Sequence, residues 1–464
     1  MIFSSTLFLF LYFPVVLAVY CLLPRKQRNL WLFIVNLVFY GWGEPVYILL
    51  MLFSITVNFF AGLLIGNYRI AAQKRAKMIL ISDIAVNLAM LGFFKYYDLF
   101  ASTLSLLPGL DIPTLGLTLP IGISFYTFQT MSYPIDVYRG DSEPQRSFIS
   151  FGTFVALFPQ LIAGPIVRYK DVASQLNFRA GSVEQFASGV RRFMVGLAKK
   201  VLIANNIGML WDIYSAKSPE TLTVLGAWMG IVAFTLQIYF DFSGYSDMAI
   251  GLGRMLGFEF LENFNYPYIS RSVTEFWRRW HISLGTWFRD YVYIPLGGNR
   301  RGLPRQFLNI LIVWALTGFW HGANWTFLCW GLYYAVFLML EKAFLLKPLE
   351  KAPVVATIYT LVVAICGWVM FDLDSMAAAF GYYRAMFGGG AGLLNQTDLF
   401  YLKNYALLFL LAAAASTPLG KAVYDRLSPA LRAALTPVLI AAGLVLSTAY
   451  LVDATYNPFL YFRF

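Results

Sequence analysis

Imidazole is the side chain whose ordinary pKa lies closest to neutral pH. Any proton transfer by imidazole in this chain rests on two residues, His281 and His321. His321 sits in Trp320-His321-Gly322-Ala323-Asn324-Trp325, near the middle of residues 306–340, a run without Asp, Glu, Lys or Arg. An ionisable group deep in an apolar run is a functional-site hypothesis, because polar groups in hydrocarbon cost free energy unless they are paired or used. The plain alternative is a neutral buried imidazole bonded to a carbonyl. One reaction suits imidazole in an apolar tunnel well: acyl transfer to an oxygen nucleophile. The hydroxyl loses its proton as it attacks, and neutral imidazole accepts it. Trp320 and Asn324 are its nearest polar neighbours along the chain.

The elements that must carry these histidines follow from the flanking pattern. A span takes roughly 20 apolar residues, so residues 306–340 are too long for one straight helix and short for two. Gly318 and Gly322 are places where the backbone can loosen or bend. His281 lies in residues 272–291. There Val273, Phe276, Trp277, Trp280, Leu284, Trp287, Phe288 and Tyr291 recur at helical spacing, with Glu275, Arg278, Arg279, Arg289 and Asp290 opposite. This pattern predicts one basic amphipathic helix in the plane of the membrane interface, with His281 at the border of its apolar stripe. The alternative for His281 is an interfacial polar residue without chemistry.

Composition sets the class. Hydrophobic residues make up 59% of the 464-residue chain and charged residues only 13%, against about 25% charged in ordinary soluble domains. This is an all-α polytopic membrane protein, expected as a single integral-membrane domain over residues 1–464. The net charge of +11 comes from Lys and Arg clusters between apolar runs, as cytoplasmic loops require. No basic stripe interleaved with aromatics suggests nucleic acid. Cys21, Cys329 and Cys366 lie in or beside apolar runs and lack metal-ligand spacing. Two histidines without acids or cysteines at ligand spacing do not suggest zinc. Nucleophile-elbow, phosphate-loop, zinc-protease and dinucleotide motifs are missing.

Read in order, residues 2–23 are apolar and end in Arg25, Lys26 and Arg28, with no basic residues ahead. This reads as a first span with its positive end trailing, which places Met1 in the periplasm and Arg25–Arg28 in the cytoplasm. Arg69, Lys74, Arg75 and Lys77 follow the third apolar run in the same sense, while Glu44 falls outside. Residues 119–134 and 151–166 are apolar but seeded with Ser, Thr, Gln, Gly and Pro. They read either as cavity-lining or re-entrant segments or as kinked ordinary spans. Residues 186–210 carry Arg191, Arg192, Lys199 and Lys200, so only the latter half is expected in the membrane. Asp241 and Asp247 either pair with nearby arginines or cap a helix. Residues 354–371, 405–415 and 435–451 are later spans, and 388–392 an extramembrane loop. The total is about eleven passages.

Four motifs carry a resemblance. Arg279-Trp-His281-Ile-Ser-Leu-Gly-Thr-Trp-Phe-Arg-Asp290-Tyr-Val-Tyr-Ile-Pro-Leu-Gly-Gly298 and Thr317-Gly-Phe-Trp-His321-Gly-Ala-Asn-Trp325 look like the membrane-bound O-acyltransferase superfamily. Leu119-Pro-Ile-Gly-Ile-Ser-Phe-Tyr-Thr-Phe-Gln129 and Phe158-Pro-Gln160-Leu-Ile-Ala-Gly-Pro165 resemble its bacterial branch typified by the alginate O-acetylase. The motif-bearing core covers about residues 115–340, and the likeness weakens beyond. The resemblance implies that His321 is the essential histidine and His281 the second. It implies helices packed around a tunnel crossing the bacterial inner membrane. It implies an acetyl group drawn from cytoplasmic acetyl-CoA, with no bound cofactor, and delivered to an exported polysaccharide, alginate first, with the help of periplasmic acetyltransferases. Trp320, Asn324, Arg279 and Gln160, all within the motifs, are candidate substrate-binding residues. Arg278, Arg279, Arg300 and Arg301 are candidates to attract the donor's phosphates. The same fold acylating cellulose, peptidoglycan or teichoic acid is an alternative. So is a transporter or flippase using His321 as a proton relay, although the chain shows no internal repeat and no acid beside His321.

Overall fold

The structure is a computed structural model describing residues 1–179, 181–453 and 460. Every regular element among the described residues is helical. They fall into two compact units, Met1–Phe193 with Tyr245–Leu261, and Met194–Gly244 with Glu262–Phe464. Eight of the described helices are long and apolar enough to cross a membrane, and the shorter apolar Phe8–Leu22 adds a further candidate. The expectation of about eleven passages drew on apolar runs that the structure divides into shorter helices, such as Phe148–Ala156 and Phe158–Leu161.

In the first unit, the Ile48–Tyr68 helix packs on Gln73–Leu104 and Ile123–Arg139. Asn58 and Asn87 exchange amide hydrogen bonds of 3.0 and 3.2 Å between the first two of these. The hydroxyl-rich run is one continuous helix, Ile123–Arg139, buried within its unit along most of its length. Two of its hydroxyls bond back to its own turns, Thr130 to the Tyr126 carbonyl at 2.9 Å and Ser132 to that of Gln129 at 2.7 Å, while Ser124 accepts from Lys95 at 3.1 Å. Residues 151–166 do break. Leu157 leaves helical geometry at ψ 108°, between Phe148–Ala156 and Phe158–Leu161.

The two acids left open by the sequence are paired. Both lie inside the Val224–Met255 helix. Asp247 meets Arg192 at 2.6 Å in the first unit, and Asp241 meets Lys200 at 2.6 Å in the second. Lys200 and Asp241 are 2% and 1% exposed. Such a pair is retained only with close partners, and Lys200 also donates to Asn205 at 2.8 Å. Pairing explains why the charged stretch does not end the helix: Val183–Ser215 is continuous and long enough to span.

The second unit is organised on a helical hairpin. Leu303–His321 starts after Gly302, with Pro304 in its first turn, and stops at Gly322, whose backbone is extended. Asn324 then caps Trp325–Leu340, its side chain accepting from Thr326 N at 3.1 Å. Residues 306–340 do hold two helices, because the first begins ahead of the uncharged run and takes Arg305 with it. The second helix continues through Glu341–Leu345. Gly318 does not bend its helix. It lets the neighbouring backbone approach: a β-carbon there would lie 2.3 Å from the Phe327 carbonyl oxygen, and one at Gly331 2.2 Å from that of Trp314. Small residues at such contacts let helices pack backbone to backbone in membranes.

A larger side chain at Gly331 must therefore separate the hairpin. Gly331→Leu is expected to destabilise the protein by about 1–3 kcal/mol, as overpacking does elsewhere. The thermal midpoint in detergent should fall, whereas Gly92→Leu, with nothing within 4 Å of the added β-carbon, should leave it in place. Equal midpoints would contradict this packing.

Candidate active site

His321 is the last residue of its helix and is 4% exposed. Its imidazole is walled by aromatic rings: Trp320 and Trp330 each at 5.0 Å between centroids, and Phe371 at 5.3 Å. The wall continues outward, since Trp330 and Trp314 lie 6.1 Å apart and both pack on Trp277. Low-dielectric surroundings of this kind strengthen any polar interaction made inside them.

His281 is not on a continuous helix. The chain forms Val273–Arg279, leaves helical geometry at Trp280, and restarts as Ile282–Phe288. His281 itself has φ 45°, ψ 52°. Only two non-glycine residues among those described have positive φ, Tyr266 and His281, and they bracket this segment. Left-handed backbone costs about 1–2 kcal/mol for such a residue, so something must hold it. Residues 263–265 do: Asn263 O accepts from Ile282 N at 3.0 Å, and Arg279 O accepts from Asn265 N at 2.9 Å. The Asn263 side-chain oxygen lies 3.1 Å from His281 Nδ1, 3.2 Å from Ser283 N and 2.9 Å from Ser283 Oγ. The turn buries the imidazole, 2% exposed rather than at an interfacial border. Periodicity missed the break because a long-range contact, not local spacing, makes it. Burial pushes the His281 imidazole down to about 3, so it is neutral at physiological pH.

Both histidines touch one ring. Trp320 lies 5.0 Å from His321 and 5.9 Å from His281, and Phe242 closes over His281 at 4.7 Å. The other sequence candidates sit differently. Asn324 caps its helix and donates to the Asp374 carbonyl at 2.8 Å. Arg279 is held by Glu275 at 2.9 Å and by the Asn265 carbonyl at 3.0 Å. Gln160 belongs to the first unit, where it donates to the Phe154 carbonyl.

Beside the hairpin lies a cavity of about 700 Å3. Arg278, Arg289, Arg300, Arg301 and Lys342 line it, and no carboxylate does. Its apolar wall includes Trp314, the outer ring of the series leading to His321. Arg279, one of the four arginines expected at an anionic donor, is not among the lining residues, while Arg289 and Lys342 are. Those two are far apart in sequence and line one cavity only in the fold, where Arg289 also meets Asp290 at 2.8 Å.

Another residue escaped the sequence reading. Glu341 is 1% exposed at the end of the hairpin. Its carboxylate accepts from Thr274 N at 2.8 Å and Thr274 Oγ1 at 2.6 Å, and also from Val273 N. One carboxylate thus fastens the start of the Val273–Arg279 helix, and the His281 turn that follows, to the hairpin bearing His321. A negative charge at a helix start is favourable.

A profile of the membrane-bound O-acyltransferase family matches residues 67–373. The chain belongs to that family. Among its relatives, the probable alginate O-acetylase of Pseudomonas aeruginosa is 45% identical over 410 residues, 86% of this chain and 77% of the relative. The protein of the same name in Pseudomonas putida is 40% identical across the whole of both chains. The peptidoglycan O-acetyltransferase of Helicobacter pylori is 34% identical over 88% of this chain and 83% of its own length. The chain is accordingly an O-acyltransferase of the membrane, with the polytopic helical fold its composition requires.

Glu341→Ala leaves buried N–H groups unsatisfied at about 1–3 kcal/mol each. Limited trypsinolysis after Arg278 or Arg279 should accelerate, and Glu341→Gln, which keeps an acceptor oxygen, should accelerate it less. Cleavage at the wild-type rate in Glu341→Ala would show that the carboxylate does not hold this segment.

Proposed function

We propose that the protein draws an acetyl group from acetyl-CoA at the cytoplasmic face of the bacterial inner membrane and passes it outward for O-acetylation of an exported polysaccharide, with alginate the favoured acceptor. The observation that carries this reading is the pairing of a buried imidazole with a cation-lined cavity in one unit, joined by a continuous wall of aromatic rings. Five lining cations, of which Arg289 also meets Asp290 at 2.8 Å, suit the phosphates of a nucleotide-bearing thioester, through charge-assisted hydrogen bonds. The attraction weakens with salt. Only the small acyl group then needs to reach His321.

At His321 the chemistry is proton transfer. The acceptor hydroxyl gives its proton to the neutral imidazole as its oxygen bonds to the acyl carbon. The carbon–sulfur bond breaks, and the imidazolium returns the proton to the departing thiolate. Trp320, Trp330 and Phe371 keep water from competing as the nucleophile. The acceptor polymer stays outside, where periplasmic acetyltransferases are the expected partners. With the first span's basic end in the cytoplasm, Met1 lies in the periplasm. The alginate acceptor is favoured by the names of relatives at 40–45% identity, and the peptidoglycan acetyltransferase at 34% marks the nearest alternative.

His321→Ala should lower acetyl transfer from labelled acetyl-CoA by about 10²- to 10⁴-fold, the usual contribution of a general base. Its elution and thermal midpoint in detergent should stay at the wild-type values. Transfer at the wild-type rate by a folded His321→Ala protein would remove His321 from the mechanism.

A further inference from the structure

We infer that Asn263 is a positioning residue for His281, holding its imidazole in the tautomer with hydrogen on Nδ1 and the proton-accepting lone pair on Nε2. The inference rests on the O-acyl transfer reading for the use made of His281, but its geometry stands by itself. The amide of Asn263 is 0% exposed, and the atom facing His281 Nδ1 at 3.1 Å also faces Ser283 N at 3.2 Å. A backbone N–H can only donate. The Asn263 atom is therefore the oxygen, since a flipped amide would set NH2 against N–H. Against an oxygen that only accepts, Nδ1 must carry the hydrogen. In the neutral ring the lone pair is then on Nε2.

The same residue fixes the backbone. The Asn263 carbonyl accepts from Ile282 N at 3.0 Å, immediately after the left-handed His281. One asparagine thus sets both the position of the ring and the chemical identity of its second nitrogen. His281 is turned into an acceptor in a site where Trp320 contacts both it and the proposed base, His321. An acceptor there receives a hydroxyl's hydrogen bond or its proton; the opposite tautomer can only donate at Nε2.

The chain has only two histidines, so ring-15N histidine labelling reports two imidazoles, and a labelled His321→Gln protein reports His281 alone. The wild type and Asn263→Asp should show His281 protonated at Nδ1. Asn263→Leu should populate the Nε2–H form. In acetyl transfer, Asn263→Leu should lower kcat by about 10- to 100-fold, the usual range for a residue orienting a histidine, with KM for acetyl-CoA within about twofold. Asn263→Asp should recover most of kcat, because a carboxylate accepts from the same Nδ1–H. Its negative charge favours imidazolium, so the acid limb of its kcat–pH profile should move to higher pH. If Asn263→Leu does not fold, this profile and the wild-type spectrum decide. An Nε2–H tautomer in the wild type, an unchanged kcat in folded Asn263→Leu, or an unshifted profile in Asn263→Asp would overturn the inference. A wild-type protein that transfers no acetyl group would instead overturn the proposed function, while the ring spectrum still decides the tautomer.

Discussion

The Leu303–His321 and Trp325–Leu340 helices touch backbone to backbone at Gly318 and Gly331, and that contact fixes where His321 can be. Without β-carbons at these two positions, the turn at residues 322–324 closes and Trp330 comes within 5.0 Å of the imidazole. The same hairpin supplies Trp314 and Lys342 to the cationic cavity and Glu341 to the Val273–Arg279 helix. His321, the cation-lined cavity and the segment bearing His281 are therefore all referred to one packed pair of helices. Interiors packed at this density transmit strain rather than absorb it, so an added atom at the contact is felt at each of them.

Around that pair, several buried polar groups are matched to one another. Lys200 with Asp241, Asn58 with Asn87, and Glu341 with the Val273–Thr274 amides are buried and matched. Thr130 and Ser132 in Ile123–Arg139 close on their own helix. This is what a bilayer demands of a polar group, because no water stands ready to replace a lost partner. Five basic residues also line one cavity with no carboxylate among its described lining residues, and one of them, Arg289, meets Asp290 at 2.8 Å.

Much of this was legible in the sequence. The scarcity of charge announced a membrane protein, and apolar length located Pro353–Asp372 to within a residue at each end, whereas Gln396–Ala415 and Pro429–Asp453 begin well ahead of the runs read as spans. Two histidines in hydroxyl- and tryptophan-rich motifs stood out as candidates, and both are buried against one ring, Trp320. What failed was local periodicity at His281, where eight apolar residues at helical spacing describe two short helices and a left-handed turn. The cause is Asn263, a distant residue with no motif around it. Arg279 looked like a partner of Arg278 for an anion, but helical geometry turns it to Glu275 and the Asn265 carbonyl. Arg289 and Lys342 are far from each other in sequence and meet only in the fold.

The central claim is that one imidazole serves a donor on one side of the membrane and an acceptor on the other. Sealed vesicles carrying the oriented protein test it most directly, with labelled acetyl-CoA confined to the cytoplasmic face and a periplasmic acetyltransferase and polysaccharide confined to the opposite face. The account predicts label in the polysaccharide, and none with His321→Ala. Label that appears only when acetyl-CoA and polysaccharide share one compartment would contradict it.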